Sequence, residues 1–279
     1  MSTHTHPPPG HDCNHCPGRA ELEQLGIRLD EWDAVVALAG NPNTGKSSVF
    51  NALTGLKQHV GNWPGKTVSR AEGGFRFNGL RYKLIDLPGT YSLLSASKDE
   101  EISRDFILFG QPDCIIVVAD ATALERNLNL ALQVMEISSK VVVCVNLLDE
   151  AKRKGITVNL RSLSRDLGVP CVGTVARTGE GLGDLMRTVA GVVGGEIPTK
   201  PVRVEVSSEL SEALDELSGR IEKLAPGLPN ARWVACRLLD GDLRIRQTLL
   251  NGDLAKLVAQ QQQPVSDARP RLVSLQGSQ

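Results

Sequence analysis

From residue 34 to about residue 190 the chain alternates short, nearly unbroken apolar runs with amphipathic stretches. The runs lie at 34–40, 82–86, 114–120, 141–147 and 171–175. Strands that read as continuous apolar runs are buried on both faces, which predicts an α/β fold with a mostly parallel sheet covered by helices on either side. One segment breaks this pattern. Gly74-Phe75-Arg76-Phe77-Asn78-Gly79-Leu80-Arg81-Tyr82 alternates residues about an Asn-Gly pair, the strongest short hairpin signal, and predicts an antiparallel edge hairpin beside the parallel set.

Beyond residue 191 the pattern changes. A glycine-rich stretch ending in Ile197-Pro198-Thr199-Lys200-Pro201 has the composition of a linker. After it, Leu210, Leu214, Leu217, Ile221 and Leu224 recur at steps of four and three and so share one helical face, and further helical sequence runs from residue 231 to about 262. The expected organisation is a tail and lead-in over 1–30, an α/β domain over 31–192, a linker over 193–201, a small mainly α-helical domain over 202–265 and a polar tail over 266–279.

Composition adds exclusions. With 279 residues, 41% hydrophobic and 23% charged, the chain can bury a core, and two domains are expected. Thirty-one Lys and Arg against 32 Asp and Glu leave a formal charge of −1, so no global basic field recruits nucleic acid and any bound anion must be held locally. No run approaches the roughly 20 apolar residues of a spanning helix. The first thirty residues lack a secretory pattern, so a cytoplasmic setting with reduced cysteines is expected. Cys114 and Cys144, inside apolar runs, read as small buried hydrophobes.

The first eighteen residues carry four histidines and no periodicity, and read as a mobile tail. Within it, His11, Cys13, His15 and Cys16 offer enough donors for one tetrahedral site for Zn²⁺ or Fe²⁺. Against this, all the donors fall within a few residues, without the distant second pair of ordinary zinc modules, and a solvated tail accounts for them equally.

The decisive segment is Gly40-Asn41-Pro42-Asn43-Thr44-Gly45-Lys46-Ser47. It matches G-x-x-x-x-G-K-[ST] and sits between an apolar strand and a helix starting near Gly45. Glycines let backbone amides curl around phosphate oxygens, and the helix N-terminus adds its dipole. Lys46 is then expected on the β- and γ-phosphates, Ser47 on Mg²⁺ and Ser48 beside it. At the end of the 82–86 run comes Asp86-Leu87-Pro88-Gly89; Asp86 is placed to hold Mg²⁺ through water and the Gly89 amide to reach the γ-phosphate. Between them lies Gly61-Asn62-Trp63-Pro64-Gly65-Lys66-Thr67, a turn-rich segment with a tryptophan expected to be exposed. Such a segment can order or melt with the γ-phosphate. Thr67 is the candidate second Mg²⁺ ligand, with Gly65, Lys66, Val68 and Ser69 beside it at the nucleotide.

Asn146-Leu147-Leu148-Asp149 follows the 141–145 strand, where ligands of open α/β sheets bind. A carboxylate there can accept from the N1–H and the exocyclic amine of guanine, which adenine cannot match. Val175, Ala176 and Arg177, at the next strand end, complete an ordered set that favours guanine over an adenine-specific P-loop ATPase.

That set resembles a small GTPase over roughly residues 34–190. More narrowly, residues 40–50, the Asn62-Trp63-Pro64-Gly65 stretch and Asp86-Leu87-Pro88-Gly89-Thr90-Tyr91-Ser92-Leu93 resemble the ferrous-iron transport protein B (FeoB) family, as do Trp233 and Arg237-Leu238-Leu239-Asp240-Gly241-Asp242. The resemblance implies a P-loop GTPase domain followed by a helical domain acting on nucleotide release. It also implies a membrane-spanning iron-permeation region in the same full-length protein, beginning after this chain stops, small cytosolic accessory proteins as partners, and a place at the cytoplasmic face of a bacterial inner membrane. It further implies K⁺ held by Asn43 with carbonyls near Gly61 and Trp63, doing the work of an arginine finger. Two departures shape the kinetics expected: Leu147 stands where many GTPases have Lys, which predicts weak affinity and fast exchange. Thr90 and Tyr91 replace a water-orienting Gln, which predicts slow turnover with water held by switch backbone. A free-standing cytosolic GTPase switch in RNA modification or ribosome assembly shares the nucleotide motifs, but no RNA-binding motif accompanies them.

Overall fold

A computed structural model describes residues 22–23, 27, 29, 32–55, 59–63, 67–94, 97–203, 206–226, 228 and 230–251. Seven strands form one sheet: β1 (Ala34–Gly40), β2 (His59–Asn62), β3 (Ser69–Phe77), β4 (Leu80–Asp86), β5 (Cys114–Asp120), β6 (Val141–Asn146) and β7 (Cys171–Gly173). Their order is β2-β3-β4-β1-β5-β6-β7. β4, β1, β5, β6 and β7 pair in parallel, whereas β3 pairs antiparallel with both β2 and β4.

The nine helices among the described residues are α1 (Lys46–Thr54), α2 (Lys98–Gly110), α3 (Leu124–Ile137), α4 (Leu148–Arg153), α5 (Leu160–Leu167), α6 (Leu182–Val193), α7 (Ser208–Leu224), α8 (Ala231–Leu239) and α9 (Leu243–Leu250).

β1 shows why the strand runs are unbroken. Val35, Ala37 and Ala39 join one core with Phe106 of α2 and Val134 of α3, while Val36 and Leu38 join a second core with Phe50 of α1 and Val189 of α6. Alternate residues point to opposite faces, and both faces are covered, so every position is apolar. The hairpin forms where Asn-Gly places it: Asn78 (φ 50°) and Gly79 (φ 82°) are both left-handed, as a type I′ turn requires. Phe75 stacks on Tyr82 across it at 4.9 Å.

β2 lies outside that hairpin as an additional edge strand. Its last two residues, Gly61 and Asn62, open the stretch read from sequence as turn-rich, and the strand is not legible from sequence because its side chains are mostly exposed and only its backbone pairing defines it.

In α7 the apolar stripe is narrower than its spacing suggests. Leu214 and Ile221 are buried, but Leu210 and Leu224 are 41% and 67% exposed. Only the middle turns of α7 are covered. Trp233, Val234 and Ile245 of α8 and α9 belong to the same core as Phe106 and Val134. The 193–201 stretch is bonded down: Lys200 N donates to Gly168 O and Val202 N to Leu167 O, each at 2.9 Å. Cys114 and Cys144 are fully buried, as expected. No helix among the described residues is long and apolar enough to cross a membrane.

Candidate nucleotide-binding site

Parallel strands bring their carboxyl ends to one edge, and the sequence motifs collect there. β1 ends at Gly40, where an added Cβ would lie 2.9 Å from Val118 O, so the loop can leave the sheet only through glycine. The loop then needs two left-handed residues, Asn43 (φ 67°) and Gly45 (φ 77°), to turn into α1. A Cβ on Gly45 would collide with the Asn146 amide. α1 has no side-chain cap and no acidic residue in its first turn, which leaves its leading amides available to an anion. Asn43, Ser47 and Ser48 are exposed at this mouth, while Asn41 and Thr44 are buried beneath it, Thr44 Oγ1 donating to Asn41 O at 2.9 Å.

Lys46 reaches across to the D-x-x-G segment. Its Nζ pairs with Asp86 Oδ1 and donates to Leu87 O at 2.8 Å. Burial pushes the Asp86 carboxyl above the usual carboxylate range, while the Lys46 ammonium pulls it back only in part. Leu87 N donates to Leu38 O at 3.0 Å and Thr90 N to Gly40 O at 3.3 Å, which fastens Pro88 and Gly89 over the end of β1. Thr90 is buried; Tyr91 is exposed, with the Arg126 guanidinium 4.5 Å above its ring.

The segment between the motifs differs from expectation. Gly61 belongs to β2, and Trp63 is only 3% exposed, set edge-on against Phe106 at 5.5 Å with Arg70 5.3 Å over its ring. An aromatic among turn residues carries no periodic signal, so only the receiving α2 surface reveals its burial. Trp63 N donates to Val68 O at 3.0 Å, closing a loop on whose rim Thr67 and Ser69 are exposed. Asn43, on the loop after β1, thus stands on a different element from Gly61 and Trp63. Gly65 and Lys66 lie outside the described residues, as do His11, Cys13, His15 and Cys16. Among the described residues no cluster of three or more metal-ligating side chains occurs.

At the base side, Leu147 (φ 63°) turns the chain from β6 into α4 and presents Asp149, whose carboxylate lies 3.4 Å from Arg177 and 3.6 Å from Arg153. Asn146 looks inward. Its amide nitrogen donates to Thr44 O at 3.1 Å, and its oxygen accepts from Thr174 Oγ1 and Ala176 N, each at 3.1 Å. It therefore joins the loop after β1 to the loop after β7, where Val175 and Ala176 are buried and Arg177 is exposed. Thr174, fully buried and also 3.2 Å from Cys144 Sγ, is the bracing residue that motif spacing did not single out.

Comparison with known proteins matches this arrangement. A family model described as ferrous iron transport protein B covers residues 34–189, and one described as the FeoB cytosolic helical domain covers residues 207–270. The chain is 42% identical over 212 residues to an Fe(2+) transport protein A/Fe(2+) transporter FeoB fusion protein of Porphyromonas gingivalis, covering 74% of this chain and 25% of that protein. It is 35% identical over 254 residues to an Fe(2+) transporter FeoB of Escherichia coli strain K12, covering 86% and 32%. It thus spans about a quarter to a third of the length of these relatives. Among solved structures, the cytosolic domain of the T. maritima FeoB iron transporter superposes in its apo and GMPPNP forms with a TM-score of 0.72, 36% identity and coverage of 82% of this chain and 94% of that one. The chain belongs to the ferrous iron transport protein B family and corresponds to its cytosolic GTPase and helical portion.

Proposed function

We propose that this chain binds and slowly hydrolyses GTP as the cytosolic regulatory part of a ferrous iron membrane transporter. One observation carries the reading: Lys46, Asp86 and the Asn146-braced loops meet at a single sheet edge beside an uncapped helix N-terminus. The T. maritima relative solved with GMPPNP supports it. On this reading residues 31–192 form the GTPase domain and 202–265 the helical domain that influences release.

The residues divide the work as phosphoryl transfer requires. Amides of residues 43–48 cradle the phosphates, and Lys46 exchanges Asp86 and Leu87 O for the β- and γ-oxygens. The Gly89 amide, held near Pro42, approaches the γ-phosphate. Asp149 reads the guanine edge once Arg177 moves aside, and Val175 and Ala176 form the base's far wall.

Exposed Ser47 and Thr67, with the half-buried Asp86 carboxylate, are a hard oxygen set that fits Mg²⁺, which supplies charge neutralisation on the phosphates. Asn43 is exposed beside the phosphate mouth, so its side chain is free to join carbonyls near Gly61 and Trp63 in holding K⁺, provided the β2 end moves. Thr90, which is buried, and Tyr91 stand where a water-orienting Gln would be, so attacking water is oriented by backbone of the switch segments and turnover is slow.

The same reading takes as partners a membrane-spanning iron-permeation region of the same protein and small cytosolic accessory proteins, and places the chain at the cytoplasmic face of the inner membrane; relatives named Fe(2+) transporter FeoB support it. Calorimetric titration with GMPPNP and Mg²⁺ tests the reading: saturable one-to-one binding is expected, and no heat sinks it. Asn43→Ala is expected to abolish any excess of GTP turnover in potassium over sodium buffer; turnover that stays potassium-dependent in the variant removes Asn43 from the K⁺ site.

A further inference from the structure

The residues that follow the D-x-x-G motif are held by α3, a helix that carries none of the nucleotide motifs. It presents Arg126 and Gln133 seven residues apart, about two turns along one face. The Arg126 guanidinium lies 4.5 Å from the centre of the Tyr91 ring. Gln133 Oε1 accepts from Leu93 N at 2.7 Å and from Ser92 Oγ at 3.3 Å. Ser92 Oγ in turn accepts from Leu94 N at 3.0 Å. One glutamine oxygen thus sets the course of the chain over three consecutive residues.

Upstream, Leu87 N and Thr90 N are bonded to Leu38 O and Gly40 O at the end of β1. The main chain from 87 to 94 is therefore anchored at both ends, to β1 and to α3, and neither anchor uses a phosphate. α3 itself is fixed, with Leu130, Ala131 and Val134 in the core. Such anchoring matters because Thr90 and Tyr91 offer the attacking water no side-chain amide, which leaves its orientation to the main chain beside Gly89. Main-chain groups keep a water in line only if the segment carrying them keeps its place, and a shift of about 1 Å can cost roughly a hundredfold in rate. Leu93 is buried, but apolar contact is non-directional and does not set the tilt of peptide groups. A hydrogen bond to Leu93 N does.

We propose that Gln133, together with Arg126, is a positioning residue for GTP cleavage: the pair holds the main chain after Gly89 in the direction that orients the attacking water. The proposal rests on the GTP-hydrolysing reading above. It requires an acceptor oxygen at 133 and a cation at 126. Neither group belongs to the phosphate cradle or to the base side, so binding and cleavage separate when either is removed.

Single-turnover hydrolysis of GTP by an excess of the intact chain, in potassium buffer with Mg²⁺, isolates cleavage from product release and tests it. Gln133→Leu is expected to slow cleavage of bound GTP about tenfold while leaving GMPPNP affinity, read by calorimetry, within about twofold. Gln133→Glu, which keeps an acceptor oxygen for Leu93 N and Ser92 Oγ, is expected to recover most of the rate. Arg126 is exposed, so Arg126→Ala leaves the core intact; it is expected to slow cleavage about threefold or more, and carries the test if Gln133→Leu folds poorly. Cleavage within about twofold of wild type in either Gln133→Leu or Arg126→Ala, faster cleavage, or no recovery in Gln133→Glu overturns the proposal. A merely structural role lowers Tm and weakens GMPPNP binding with cleavage of bound GTP unaltered, and that result overturns it too. A wild type that neither binds GMPPNP nor cleaves GTP instead removes the nucleotide reading itself.

Discussion

Gly45 shows how much of the site depends on a single Cα. Its left-handed φ disfavours any L side chain by about 1–2 kcal/mol, and an added methyl would strike the Asn146 amide that braces two loops. Gly45→Ala is expected to lower Tm and abolish nucleotide binding together, by thermal melts and calorimetry on the same sample. Asp149 offers a cleaner chemical test. If its carboxylate reads guanine N1–H and N2–H, Asp149→Asn reverses one hydrogen-bond polarity and should move preference from GTP toward XTP; competition between the two nucleotides measures this, and unaltered GTP preference removes the assignment. Asp86 provides a pH signature. Its carboxyl is raised by burial more than Lys46 lowers it, so the folded chain holds the proton more tightly than the unfolded chain. Asp86's contribution to stability is then largest below the ordinary carboxylate range and is lost as pH rises through the raised value. Urea melts run from below the ordinary carboxylate range upward should show the wild type losing stability with rising pH relative to Asp86→Asn; a wild type that instead gains stability over Asp86→Asn as pH rises contradicts the sign.

Trp63 couples the β2–β3 connection to α2 through Phe106 and Arg70. Trp63→Ala is expected to cost about 3–5 kcal/mol, and Trp63→Phe distinctly less, in denaturant unfolding. Its indole Nε1 is buried without a hydrogen-bond partner among the described residues. An orphaned donor costs about 1–3 kcal/mol, which lowers the barrier to lifting this segment off α2. The same element marks where sequence was legible and where it was not. β1, β5 and β6 could be read directly, because burial on both faces forces an unbroken apolar run, and the P-loop because its conformation demands specific residues at fixed offsets. β2 could not, since an exposed edge strand is defined by backbone pairing alone. Nor could the burial of Trp63 or the inward turn of Asn146 onto Thr174, both of which depend on residues far away in the chain. In α7 the spacing located the helix and its buried face, but the exposure of Leu210 and Leu224 depends on tertiary packing that the spacing does not carry.

Across the whole molecule, the GTPase part and the helical part share one core. Leu214, Ile221, Trp233, Val234 and Ile245 cluster with Phe106, Ile107, Val134 and Ile137 of the α/β layer. Asn230, left-handed at φ 54°, donates from its amide to Glu136 O and to Ile137 O, at 2.5 and 2.9 Å, fastening the end of α3. The 200–202 backbone is bonded to the end of α5. A tether of polar linker alone would let each part melt by itself, whereas a shared apolar cluster with buried backbone bonds makes opening of one expose the other's core. Calorimetry of the intact chain should therefore give one transition with calorimetric and van't Hoff enthalpies equal within error. Asn230→Ala, which leaves two helix-end carbonyls without their donor, is expected to lower that single Tm by several degrees, for about 1–3 kcal/mol. Two separate transitions in the wild type would mean that the shared cluster does not couple the parts.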